Sequence, residues 1–175
     1  MFLCHQEIAT FHTVTNLKMA IIGGIDYTRI LVNADQTRLV TVGEDGTATI
    51  WDLKSGATLF AIGDSTHRII DMAFTPDGYK LALLGNTGTT EVWDAAEARR
   101  LFGLAASNGP ARSVTFSSDG TRLRVTTADA AGTWDSQTGQ PLTITPPLPG
   151  KFKRLSLDPS GTRLATLDDS RKVQI

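Results

Sequence analysis

Three tryptophan–aspartate pairs constrain this chain more than any other feature: Trp51-Asp52, Trp93-Asp94 and Trp134-Asp135 follow one another at intervals of 42 and 41 residues. A self-similar period of that length marks a unit that cannot bury its apolar face alone and must stack on its neighbours. A second set of anchors keeps the same spacing: Arg38-Leu39, Lys80-Leu81, Arg122-Leu123 and Arg163-Leu164. Ahead of each lies a turn sequence, Thr75-Pro76-Asp77-Gly78, Ser117-Ser118-Asp119-Gly120 and Asp158-Pro159-Ser160-Gly161, with Asn33-Ala34-Asp35-Gln36 as a degenerate copy. Asp or Ser bonds back to the backbone there, and Gly takes the left-handed conformation that closes a hairpin. Gln36 stands in the first Gly slot, so that turn is expected to be strained or differently shaped.

The runs around the turns are short and rich in β-branched and aromatic residues, which suits strands and calls for no helix. One unit reads as strand a over Ile70–Phe74, b over Lys80–Leu84, c over Thr89–Trp93 and d over Arg99–Phe102. Four short strands in about 42 residues make one antiparallel sheet, the size of a propeller blade. The expected fold is therefore all-β: a β-propeller of about four blades, each a four-stranded antiparallel sheet, forming a partial ring or half of an assembled one. The repeats run over about 27–68, 69–112, 113–152 and 153–175.

On these residues the chain resembles the WD-repeat family over positions 27 to 175, most closely at Gly43-Glu44-Asp45-Gly46-Thr47-Ala48-Thr49-Ile50-Trp51-Asp52. The arrangement looks more like a bacterial array than an animal one, and in bacteria similar arrays often follow signalling domains. The signature residues Trp51, Asp52, Trp93, Asp94, Trp134 and Asp135 are read as structural. Each Trp is large enough to fill the space between stacked sheets, and each Asp is placed to accept backbone N–H groups of the c-to-d turn. The family often carries an Asp in the b-to-c turn and a Gly-His pair before strand a, which bond to a strand b hydroxyl and to the Trp. Only the first repeat keeps that Asp, as Asp45; Thr87 and Ser170 fill the slot in the second and fourth, the third is one residue shorter with Asp129 nearby, and the Gly-His pair is missing. Apolar packing is expected to carry more of the stability.

Residues 1–26 are expected to form an N-terminal strand, Glu7 to Phe11, that completes the last blade, followed by a connection, His12 to Asp26, that fits the repeat poorly. The chain reaches Ile175 one residue before the next Trp is due at position 176, so the outer strand of the last repeat is missing. A longer parent protein, two copies completing one ring, and a single chain closed or left open are the three readings of that shortfall.

Composition narrows the function. With 17 basic and 18 acidic side chains the net charge is −1, so no long-range field gathers nucleic acid or an anionic membrane. The single cysteine, Cys4, precludes an intrachain disulfide, and with no signal-peptide pattern at the start the expected location is cytoplasmic. Cys4, His5, His12 and His67 lack metal-site spacing, and no nucleophile elbow, metalloprotease or phosphate-loop motif is present, so no catalytic residue, cofactor or metal is assigned. Asp168-Asp169 reads as a solvated turn.

The expected role is that of a non-catalytic scaffold or recruitment module for other proteins or peptides. The d-to-a and b-to-c loops gather on one rim, which the resemblance implies is the partner-binding face. That rim would present Glu44, His67, Arg68, Asn86, Arg112, Asp129, Lys153, Asp168 and Arg171, with Arg29, Arg68, Arg112 and Arg154 forming a basic arc. Two alternatives stand beside it. A propeller enzyme or small-ligand binder would use inward polar groups of strand a, chiefly Asp71, Thr115 and Ser156; a truncated fragment of a larger signalling protein would have no role of its own.

Overall fold

The computed structural model describes residues 8–11, 18–22, 27–62, 68–104, 111–127, 130–144, 152–157, 163–168 and 172–174. All regular structure among them is β, and the chain divides into two compact units, Met1–Ile69 and Ile70–Ile175.

The first unit holds a two-stranded sheet, β1 (Ile8–Phe11) with β2 (Lys18–Ile22), and a four-stranded antiparallel sheet in the order β3 (Tyr27–Val32), β4 (Arg38–Gly43), β5 (Ala48–Asp52), β6 (Thr58–Ile62). Strand β4 reads Arg-Leu-Val-Thr-Val-Gly, and every residue after Arg38 is buried, so both of its faces are covered. A continuous β-branched and apolar run without alternation is the sequence form of such a strand. Leu39 and Leu53 are the buried centre of a small cluster against which Tyr27 and Trp51 pack. The stretch expected to be a bare connection between His12 and Asp26 contains β2. The N-terminal strand lies along β2, and its expected place on the last blade is not among the pairings described.

The second unit, entered through β7 (Ile69–Phe74), continues with β8 (Lys80–Gly85), β9 (Thr90–Asp94) and β10 (Arg99–Leu104) in one four-stranded sheet. A second sheet follows with β11 (Ala111–Phe116), β12 (Arg122–Thr127), β13 (Ala131–Asp135) and β14 (Pro141–Ile144). A three-stranded sheet closes the series with β15 (Phe152–Leu157), β16 (Leu164–Asp168) and β17 (Val173–Gln174). Three four-stranded antiparallel sheets, each in simple a-b-c-d order, are blades of a partial β-propeller. The blades of β7–β10 and β11–β14 share one core: Ala82, Leu84, Val92 and Leu104 meet Val114, Leu123, Val125 and Trp134.

Polar groups fasten the same two blades. The Asp71 carboxylate on β7 accepts the Val114 N–H of β11 at 2.9 Å, and Lys80 Nζ donates to the Ser136 carbonyl at 2.9 Å. A backbone amide cannot be left unpaired at a packed interface, so Asp71 supplies an acceptor that the sheet of β11 lacks on that side.

The a-to-b hairpins are copies in detail. The fourth residue of the turn donates its N–H back to the carbonyl of the first in each: Gln36 to Asn33, Gly78 to Thr75, Gly120 to Ser117. Gln36 adopts φ +58, beside +75 for Gly78 and +71 for Gly120. The degenerate turn therefore keeps the shape of the others, and Gln36 carries the left-handed strain that glycine avoids.

The c-to-d turns repeat equally closely. Asp52 Oδ1 accepts the Ser55 N–H at 2.8 Å, Asp94 Oδ1 the Glu97 N–H at 2.8 Å, and Asp135 Oδ1 the Thr138 N–H at 2.8 Å. The turn ends in a left-handed residue, Gly56, Ala98 or Gly139.

Candidate interaction rim

The b-to-c turn of the first full blade is built on two glycines. Gly43 and Thr47 close it, the Gly43 N–H donating to the Thr47 carbonyl at 3.0 Å, and the Gly46 N–H returns to the Gly43 carbonyl at 3.0 Å. Gly46 sits at φ +83, and a Cβ there would come within 2.7 Å of the Arg68 backbone and side chain. Both conditions require glycine. With that space empty, Arg68 lies across the turn: a guanidinium N–H donates to the Glu44 carbonyl at 2.9 Å, and the next amide, Ile69, donates to the Gly46 carbonyl at 3.1 Å. The turn and the lead-in to strand β7 are thus one fixed structure, with the Glu44 and Arg68 side chains exposed on it.

Asp45 is the residue that the resemblance assigns to a bond with a strand b hydroxyl and the Trp. Its carboxylate instead accepts the Thr47 N–H at 2.9 Å within the turn. The indole N–H of Trp51 finds the hydroxyl directly, donating to Thr41 Oγ1 at 2.9 Å.

The second blade repeats the turn with Gly85 and Gly88, which has φ +88. Asn86 is exposed there. The third turn is shorter and bonds the Thr127 N–H to the Ala130 carbonyl at 2.8 Å. In the last blade the Asp168 carboxylate accepts the Lys172 N–H at 2.9 Å, so Asp168 is a half-buried turn former.

Of the expected rim, Glu44, Arg68, Asn86 and Arg112 are exposed. Lys153 lies on strand β15, with only its backbone described; His67, Asp129 and Arg171 fall outside the described residues, as do Cys4, His5 and His12. Of the arginines expected to form an arc, Arg29 and Arg154 share one register position and Arg68 and Arg112 occupy two others. Arg29 pairs with Val42 and Arg154 with Leu167, Arg112 falls in a register shift between Ala111 and Ser113, and Arg68 precedes its strand. They are therefore not one equivalent row.

The polar groups expected to face a channel are also placed. Asp71 joins two blades, Thr115 is exposed, and the Ser156 side chain lies outside the described residues. An open cleft of about 510 Å³ lies beside the third a-to-b hairpin, lined by Phe116, Ser118, Asp119, Thr121, Arg122 and Arg124 among others. Asp119 is held down at about 2, first by the Ser117 hydroxyl and then by the amide and hydroxyl of Thr121, so it is a hairpin acceptor. Among the described residues no three His, Cys, Asp or Glu side chains converge as a metal site would need.

Sequence reasoning missed the role of Gly46 and read Asp71 as a channel-facing group, where it is a fastener between blades. Gly46 had a signal, because Gly46 and Gly88 both stand five residues before their Trp. Asp71 had none, since its role depends on where β11 packs.

No curated protein matches the chain. The family model described as "WD domain, G-beta repeat" matches residues 12–52. That span takes in β2, which the repeat reading had left out, and it ends on Asp52 of the first Trp-Asp pair. The match and the four-stranded sheets that repeat downstream fit a WD-repeat propeller.

Proposed function

We propose that the chain is a non-catalytic interaction scaffold whose partner, a protein or peptide, is held on the rim of b-to-c turns and strand a lead-ins. WD repeats generally mediate protein–protein interaction, and rigid repeats that display variable loops suit that role. One observation carries the reading to this rim. Arg68 is locked across Gly46 onto the Glu44 carbonyl, so an exposed cation is held on a preorganised frame next to the exposed Glu44, which lowers the ordering cost of binding. Asn86 on the equivalent turn of its own blade and Arg112 before the next strand are exposed in the same way. His67, Asp129, Lys153, Asp168 and Arg171 belong to the same loops by sequence. A cytoplasmic, signalling setting, and rings completed by two copies, are part of this reading. No helix among the described residues is long and apolar enough to cross a membrane.

The test is a peptide library displayed on phage and selected on the wild-type chain, with the selected peptides remeasured on Arg68→Glu combined with Arg112→Glu. Binding is expected to weaken at least about tenfold, the loss of roughly 1.4 kcal/mol, with an unchanged circular dichroism spectrum. Unaltered affinity for every selected peptide would place the binding surface elsewhere.

A further inference from the structure

The basic residue that opens strand b is used differently from blade to blade. Arg38 Nη1 meets Asp52 of its own blade at 3.0 Å, and Lys80 Nζ donates to the Ser136 carbonyl of the next blade at 2.9 Å. Both are tied into the fold. Arg122, the next of the series, lines the open cleft of about 510 Å³ beside its a-to-b hairpin, together with Arg124. The two are separated by one residue on β12, so they lie on one face of the strand, roughly 7 Å apart along it.

Arg124 has no counterpart among the repeats. Its position is Val40 in the first full blade and Ala82 in the second, both fully buried, and Ala165 in the last. The exchange extends over the face: where the first blade has Val42 and Ile50 and the second Leu84 and Val92, this blade has Thr126 and Thr133, and Thr133 is the direct cross-strand partner of Arg124. The Thr133 hydroxyl is buried without a hydrogen-bond partner among the described residues. Half-burying a guanidinium where the pattern provides an apolar side chain costs solvation, and a second cation on the same face adds repulsion. A local breach of an otherwise consistent pattern is where function is expected. An anion between the two guanidinium groups offsets both costs.

The rest of the lining selects the anion. The Asp119 carboxylate is kept ionised by the Ser117 hydroxyl and the Thr121 amide. Two guanidinium groups and one carboxylate leave the lining with a net charge of +1. A carboxylate neutralises it, whereas a phosphate dianion would leave the half-buried site at −1. A carboxylate is also planar and matches the guanidinium fork, whose five donors can serve the chain and a ligand together. The cleft has the volume of a ligand site, and Phe116 gives it an apolar wall beside the Ser118 and Thr121 hydroxyls.

We propose that this cleft binds an acidic peptide, with a glutamate or aspartate carboxylate of the ligand seated between Arg122 and Arg124. The a-to-b hairpin and the b-to-c turn lie at opposite ends of strand b, so this site is separate from the proposed rim and each reading can fail alone.

The probe is a fluorescein-labelled octapeptide of alternating glutamate and glycine, titrated with the full chain by fluorescence anisotropy. Saturable binding is expected, weakened at least about tenfold by Arg124→Val through loss of charge-assisted hydrogen bonds, and as much by exchanging the glutamates for glutamine. Arg124→Val restores the residue of the first blade, so its melting temperature should equal or exceed that of the unaltered chain, which separates loss of the site from loss of the fold. Arg124→Gln, which keeps a polar side chain, is expected to lose as much affinity. Arg68→Glu combined with Arg112→Glu should leave the affinity unchanged; a loss in that variant alone would place the peptide on the rim and overturn the inference. So would no saturable binding, equal binding by Arg124→Val or by the glutamine peptide, or tighter binding of a phosphoserine peptide of the same pattern.

Discussion

The signature tryptophans of the first and third full blades stand at the same strand position and are accommodated by opposite chemistry. Trp51 is half-buried, and its indole N–H donates to Thr41, whose cross-strand partner is Thr49. Trp134 is 8 % exposed, and the two equivalent positions are Val125 and Gly132, again directly opposed. A Cβ on Gly132 would come within 2.2 Å of the Trp134 ring, so the ring occupies the space a side chain would fill. The middle blade takes a third course with Leu83 and Glu91, and there Trp93 Nε1 donates to the Glu91 carboxylate at 3.2 Å while Arg100 pairs with the same group at 3.0 Å. A repeat thus fixes where the aromatic goes. The cross-strand pair beneath it decides whether the ring is anchored by a hydrogen bond or buried in a core.

Truncating the two rings tests that difference most severely. Trp134→Ala is expected to cost about 3–5 kcal/mol, as for a buried aromatic, and Trp51→Ala clearly less; equal shifts in urea midpoint would break the comparison. Gly132→Ala comes next, at about 1–3 kcal/mol from overpacking against Trp134, whereas Thr49→Ala at the equivalent site should stay within about 1 kcal/mol. Thermal unfolding of both variants measures the contrast. Thr41→Val removes the acceptor of the Trp51 indole and should cost about 1 kcal/mol; a change in Trp fluorescence is expected with it, and a neutral result would show that the ring is held by packing in this blade too.

Smaller effects come from the turns. Asp119 has a folded pKa depressed to about 2 by the Ser117 hydroxyl and the Thr121 amide and hydroxyl. A depressed carboxylate stabilises the fold above its unfolded value of about 3.9 and loses that contribution as the pH falls towards the folded value. Asp119→Asn should therefore flatten the fall in melting temperature below about pH 4, and an unchanged acid slope would argue against the hairpin bond. Smallest of all, Gln36→Gly and Ala98→Gly, at φ +58 and +57, should each gain less than about 1 kcal/mol, because relief of left-handed strain is partly offset by the extra freedom of glycine in the unfolded chain.

Period and turn chemistry are local properties, and they were legible. The Trp-Asp interval, the basic-Leu pairs and the Pro-Asp-Gly turns located strands β7 to β10 to within a residue or two and set the period of the rest, because each needs only its own hairpin to form. The N-terminal hairpin was partly hidden. No Trp-Asp pair flags a repeat there, and only the pairing of β1 with β2 reveals its second strand. The rim was half legible: its loops follow from strand order, but the arginines that seemed to recur there do not all share one register position, since one bulged residue changes which way every later side chain points.

What the sequence determined by itself is the unit, a four-stranded antiparallel sheet with a fixed place for its aromatic and its turn carboxylates, since hydrophobic pattern and turn chemistry act within some forty residues. Only the tertiary structure decided how each unit is held. Asp71 reaching the Val114 amide, Arg68 crossing Gly46, and Trp134 over Gly132 all join residues whose meeting depends on strand register and sheet packing, and neither is written in the identity of any one residue.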